Sequence, residues 1–187
     1  IGAIGASAGG YFATMLGVTG GIESYETGEY LNESSSVQAV VDLYGPSDLT
    51  IIGSGLDDAF PDERNAEGKG YESNHFSPAT PEALMVNGSA MALNPGGSVQ
   101  DTPETAAAAS PFTYIGREDP PFLILHGDKD TSVSPVASMA LFNRLKDAGV
   151  EATRYVIGGA GHGGPKFNQP QVLDLITDFF AAHLKTE

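Results

Sequence analysis

Chemistry in this sequence has few places to start: one serine set among small residues, four histidines, and a pair of aspartates in one short loop. Gly5-Ala6-Ser7-Ala8-Gly9 fits G-x-S-x-G, the pattern of a serine turned sharply out between a strand and a helix. Such a turn strains the backbone, and side chains two residues either side of the serine are expected to collide. The helix that follows would aim backbone N–H groups at the hydroxyl, so the Ala8 N–H is placed to bind the oxyanion of an acyl transfer. A serine hydroxyl needs a base. His75 lies in an irregular stretch, His126 ends an apolar strand and reads as a buried structural residue, and His183 falls on the surface of a terminal helix. His162 alone occupies a glycine-rich loop, GGAGHGGP (158–165), directly after a strand, where an imidazole can reach across strand ends. The base needs a carboxylate to orient it. The stretch HGDKD (126–130) offers Asp128 and Asp130, and position alone does not choose between them.

Other chemistries fit less well. Asp128, Asp130 and Ser132 are spaced like the start of a calcium loop, but Val133 stands where that loop needs glycine and Met139 where it needs a bidentate glutamate. No pair of histidines has zinc-ligand spacing. There are no cysteines, which removes disulfides, thiolate metal sites and a cysteine nucleophile. Acids outnumber bases 24 to 9, for a net charge of −15. That field disfavours nucleic acid and anionic membrane as partners and reads as a solvated acidic surface. No apolar run approaches the ~20 residues of a membrane-spanning helix.

The elements that must position these residues can be read from the apolar pattern. Residues 1–5 form a strand end, and 11–18 carry apolar residues at helical spacing, stopped at Gly20-Gly21. VQAVVDLY (37–44) suits a buried parallel strand. Residues 50–111 are rich in Gly, Ser, Asn, Pro and Asp, and read as an insertion or cap over one end of a sheet. Within it TPETAAAAS (102–110) is a short helix, with Thr102 capping and Pro103 opening it. PPFLILHG (120–127) is a strand, 135–148 a helix ended by Gly149, 152–157 a strand, and 172–184 a closing amphipathic helix. The alternation argues for an α/β domain, a mainly parallel sheet flanked by helices. Ser7, the aspartates and His162 each follow a different strand, and strand ends in such a sheet share one rim.

At that point the chain resembles the α/β-hydrolase esterases of the bacterial carbohydrate-esterase and feruloyl-esterase-like group, near the hormone-sensitive-lipase type. The resemblance rests on GASAGG, YGPSDL (44–49), ASPFTYI (109–115) leading into PPFLILHGDKDTSVSP, and GGAGHGG. It implies Ser7 as nucleophile, Asp130 rather than Asp128 as the acid, His162 as base, and His126 as structural. It implies a Ser-His-Asp serine carboxylic-ester hydrolase with an acyl-enzyme intermediate and no cofactor. The implied substrates are small-molecule esters, with acetyl or short aromatic acyl groups on carbohydrate. Ser134 departs from the usual proline, which comes one place later at Pro135.

The family's earlier strands, and its His-Gly-Gly type loop giving a second oxyanion N–H, match nothing here. Residues 1–187 are therefore expected to be a partial hydrolase domain with a cap at about 50–111. Loss of one oxyanion donor costs about 2.7–4 kcal/mol. An apolar edge at residues 1–5 favours association into a homo-oligomer. Phe76, Met85, Met91 and Phe112 are candidates for the substrate pocket. Two rivals remain: a prolyl-oligopeptidase-like peptidase, against which the long 50–111 insertion counts, and a non-catalytic hydrolase-fold binding domain. A panel separates these readings. Turnover of p-nitrophenyl acetate without cleavage of an Xaa-Pro-p-nitroanilide is the expected result; the reverse preference would favour the peptidase.

Overall fold

The β-branched run at residues 37–41 and the apolar run at 121–125 become the two inner strands of a four-stranded parallel sheet. In the computed structural model, which describes residues 1–88 and 96–184, the strands are β1 (Gly2–Ala6), β2 (Ala39–Leu43), β3 (Phe122–Gly127) and β4 (Ala152–Ile157), in the spatial order β1-β2-β3-β4. The register is set by pairs such as Ala3 with Val40, Val41 with Leu123, and Leu125 with Tyr155. Every residue of β3 is buried, as expected of a strand covered on both faces.

Helices supply the two covers. On one face α1 (Ala8–Thr19) contributes Ala13 and Val18, and packs with Val40, Phe122 and Ile124 of the sheet. Among the described residues the connection between β2 and β3 holds three short α-helices, α2 (Leu56–Ala59), α3 (Pro81–Asn87) and α4 (Pro103–Ala108). Next, α5 (Pro135–Asp147) adds Leu141 and Leu145 to the same face as α1. The last helix, α6 (Pro170–His183), covers the other face, where Val41, Leu123, Leu125 and Phe167 meet Ile176, Phe179 and Phe180. Ser134, the departure from the family pattern, caps α5: its hydroxyl accepts the Val136 N–H at 3.2 Å, and Pro135 takes the first helical position.

The long β2–β3 connection has its own apolar centre. Leu49, Ile52, Ala83, Val99 and Ala106 gather on Tyr11 of α1, and the Tyr11 hydroxyl donates to Ala109 O at 2.6 Å. The connection is thereby fastened to the helix that starts at Ser7.

One expectation needs correction. Thr102 precedes α4 but does not cap it; its hydroxyl donates to Asn87 Oδ1 at 2.7 Å instead. A partner in α3 competes successfully for the oxygen that a local cap would use. The strand expected at residues 1–5 forms as β1, which pairs only with β2 among the described residues. Ala3 is buried, but Ile4 is 51% exposed and, with Ile1, Phe12 and Leu16, leaves an apolar surface along that edge.

One buried acid stands out in the sheet. Asp42 of β2 accepts the Gly45 N–H on Oδ1 at 2.8 Å, and its Oδ2 has no hydrogen-bond partner among the described residues. Gly10 and Gly45 crowd this carboxyl so closely that a Cβ on either would lie within 2.5 Å of Oδ1. Burial raises the Asp42 pKa from 3.8 to about 7, against the lowering effects of the Gly45 N–H and His126. The folded state therefore keeps a proton that the unfolded chain releases near pH 4. Stability contributed by this group falls as pH rises from about 4 to 7, with a slope of at most about 1.4 kcal/mol per pH unit. Asp42→Asn keeps the acceptor for Gly45. Urea unfolding across that range is expected to show the slope in the parent protein and its loss in Asp42→Asn.

Candidate active site

Ser7 sits between β1 and α1 with φ 56° and ψ −122°, a conformation that L-residues with a side chain rarely adopt. Two hydrogen bonds hold it there: Ser7 N donates to Leu43 O at 2.9 Å, and Tyr11 N donates to Ser7 O at 3.1 Å. The flanking glycines do not share one reason. A Cβ on Gly5 would lie 2.0 Å from Gly9 O, so only glycine lets the helix turn back over the strand. A Cβ on Gly9 would meet nothing within 4 Å among the described residues. The expected collision on both sides occurs on one, because Gly9 faces the open apolar edge beside β1.

His162 comes from the loop after β4. Its Nε2 lies 2.7 Å from Ser7 Oγ, and its Nδ1 lies 2.8 Å from Asp130 Oδ2. With Nδ1–H donating to the carboxylate, Nε2 is left to accept the serine hydroxyl. The loop reaches this position through backbone that only glycine takes readily: Gly163 has φ +84° and Gly164 φ +96°. The ring is packed edge-on against Tyr44, with centroids 5.0 Å apart, and Tyr44 packs in turn on Phe167. Tyr44 is the second non-glycine residue at positive φ. Its contact with His162 left no signal in the sequence beyond its place after β2.

Asp130 is completely buried. Oδ1 accepts the N–H groups of Ser132 and Val133, each at 2.9 Å. Oδ2 faces His162 and lies 3.1 Å from His126 Nε2, which also hydrogen-bonds Val133 O at 3.0 Å. Burial by itself would raise the Asp130 pKa. The contacts from His126, His162, Val133 N and Ser132 N together outweigh it and hold the carboxyl well below the usual carboxylate range. Asp128 does something else: its carboxylate accepts the Gly159 N–H and ties down the start of the His162 loop. His126 is wholly buried and braces the acid loop. His183 is partly covered, its Nε2 3.5 Å from Glu151 Oε1.

A cavity of about 510 Å³ opens beside Ser7 and His162. Its wall is mostly apolar, built by Tyr11 and Phe12 of α1 together with Leu49, Ile52, Met85 and Val133. Ala8 lines it too, and as the first residue of α1 its N–H has no partner within the helix. Of the pocket candidates, Met85 lines this cavity. Phe76 is 57% exposed and off its wall, because the ring next to it, His75, takes the inward position. Phe112 packs instead against the α1–α5 face of the sheet, where the chain re-enters toward β3. Met91 lies outside the described residues. The residues that sequence reasoning missed are His75 and Glu82, which line the cavity as a pair 2.8 Å apart. Among the described residues no cluster of His, Asp or Glu is placed to hold a metal ion, and no helix is long and apolar enough to cross a membrane.

The BD-FAE family model matches residues 1–145. The chain is similar to the esterase LipC of Mycobacterium tuberculosis, 26% identical over 160 residues, 85% of this chain and 33% of LipC. It is also similar to the esterase LipQ of the same organism, 44% identical over 55 residues, 29% of this chain and 13% of LipQ. The chain thus spans a third or less of these relatives. A truncated form of a carbohydrate esterase from gut microbiota matches with a TM-score of 0.74 and 29% identity, over 97% of this chain and 59% of that one. The fold is that of the α/β-hydrolase esterases.

The two glycines and the strained serine separate by stability measurement. Gly5→Ala is expected to cost about 3 kcal/mol or more, since backbone blocks the new methyl group. In the 187-residue chain Gly9→Ala should be neutral or stabilising by up to about 1 kcal/mol. Ser7→Gly should stabilise by about 1–3 kcal/mol as the positive φ is relieved. Equal effects of Gly5→Ala and Gly9→Ala in chemical denaturation would contradict the geometry described.

Proposed function

The chain belongs to the BD-FAE family, and from that premise we propose that it is the nucleophile-bearing part of a serine carboxylic-ester hydrolase. The observation that carries this reading is the unbroken run of contacts from Ser7 Oγ through the His162 ring to the buried Asp130 carboxylate. In this reading Ser7 attacks the ester carbonyl while His162 Nε2 takes its proton. Asp130 keeps the imidazole in the Nδ1–H tautomer and stabilises the cation that forms. The Ala8 N–H, at the start of α1, donates to the developing oxyanion. His162 then returns the proton to the leaving alcohol, and water repeats the cycle on the acyl-enzyme.

The apolar cavity beside Ser7 supports an acyl group with hydrocarbon or aromatic character, held against Tyr11, Phe12 and Met85. The likeness to a carbohydrate esterase supports a sugar as the alcohol, with acetyl or short aromatic acyl esters of carbohydrate as the class. Residues 50–111 act as a cap that supplies part of the wall.

Hydrolysis of p-nitrophenyl acetate, butyrate and a hydroxycinnamate ester by the full-length protein tests the proposal. Ser7→Ala should abolish turnover and labelling by an organophosphonate. Asp130→Asn should lower kcat by about 10⁴-fold with the fold intact, whereas Asp128→Asn should retain most of it. Labelling that persists in Ser7→Ala would assign the nucleophile elsewhere.

A further inference from the structure

His75 lies in the connection between β2 and β3, on the wall of the cavity that holds Ser7 and His162. It is nearly buried, and both of its ring nitrogens face acceptors. Nδ1 lies 2.8 Å from Glu82 Oε1 at the start of α3, and Nε2 lies 3.0 Å from Ser132 O in the loop that carries Asp130. The surroundings are shaped to this ring: Gly53 has φ +83°, and a Cβ there would lie 2.4 Å from His75 Cδ2. Ser132 is the link. Its carbonyl accepts from His75, and its N–H donates to Asp130 Oδ1 at 2.9 Å. One peptide segment is thus gripped from the cavity wall on one side and grips the triad carboxylate on the other.

We propose that His75 is a positioning residue, anchored by Glu82, that braces the Ser132 segment from the adjoining cavity wall and so aligns Asp130 with His162. The inference rests on the serine-hydrolase reading above and deepens it. The segment that encloses the cavity also sets the geometry of the proton acceptor. The ring carries a proton on each nitrogen, as an imidazolium: Nδ1–H donates to the Glu82 carboxylate, which holds the ring at the right rotation for Nε2–H to donate to the Ser132 carbonyl. Burial would raise the Glu82 pKa, and the hydrogen bond from His75 with its other partners brings it below its ordinary value instead. Glu82 thus offers a charged acceptor rather than a competing O–H donor.

Two amides separate the functions of the two nitrogens. Gln places its amide N–H near the position of the imidazole Nε2, and Asn places its own near Nδ1. In the full-length protein, His75→Asn should lower kcat for p-nitrophenyl acetate by about ten- to a hundredfold, with KM changed less than about threefold. Organophosphonate labelling of Ser7 should slow in parallel. His75→Gln should recover most of both rates, and Glu82→Gln should fall between. Proton NMR supplies a readout that needs no turnover: the low-field signal of the His162 Nδ1–H facing Asp130 should shift or broaden in His75→Asn and return in His75→Gln. Equal kcat in the Asn and Gln variants, an effect confined to KM, or an unmoved low-field proton would overturn the brace. If the parent protein were neither labelled nor active, the hydrolase reading would fall, and the NMR comparison would still decide whether His75 positions the Asp130–His162 pair.

Discussion

The buried carboxylate of Asp130 is the constraint around which the rest of the site is arranged. A charge without solvent is tolerated only when its oxygens are saturated with donors. Here the donors come from three parts of the chain: the Ser132 and Val133 amides of its own loop, the His126 imidazole at the end of β3, and the His162 imidazole from the loop after β4. Each donor fixes an element. The amides dictate the turn after β3, His126 ties that turn to the strand, and His162 is drawn over the strand ends toward Ser7. The same contacts keep the carboxyl ionised, which is the state that can hold Nδ1–H and leave Nε2 free to accept from the serine.

The second constraint is close packing of backbone at the same rim. Gly5 lies under the carbonyl of Gly9, and a Cβ on Gly127 would stand 2.2 Å from Ala160 O. These approaches bring the turn after β1 and the loop after β4 near enough for a hydroxyl and an imidazole to touch. The strain at Ser7 and Tyr44 is held by the sheet behind them, whose inner strands are almost wholly buried. The connection over the cavity belongs to this arrangement as well. It is fastened to α1 through Tyr11 and to the acid loop through His75.

Much of this was legible because it is local. The turn at Ser7 follows from a strand, a run of small residues and a helix in immediate succession. The apolar run at 37–44 reads as a buried parallel strand and that at 120–127 as a strand, and the glycines around His162 left no room for a regular element. The failures share a cause. Thr102 looked like a cap, but a partner fifteen residues upstream took its hydroxyl. Phe76 looked like pocket lining by its type, yet its neighbour His75 points inward. Phe112 was absorbed by the core of the sheet. Gly9 looked sterically required, and a Cβ there would meet nothing within 4 Å among the described residues.

Residue type and order along the chain by themselves determined the α/β architecture, the strained turn and the glycine-rich loop that carries His162, since each depends on neighbours within a few positions. They left Asp128 and Asp130 equivalent until a family resemblance favoured one. Tertiary structure separates the two physically: the Asp130 carboxyl is turned inward to His162, while the Asp128 carboxyl reaches the Gly159 N–H. Tertiary structure alone also put His75 against Ser132, 57 residues away. Hydrogen bonds are directional and short, so which of several suitable donors meets which acceptor is decided only when the sheet and the loops over it have fixed their orientation.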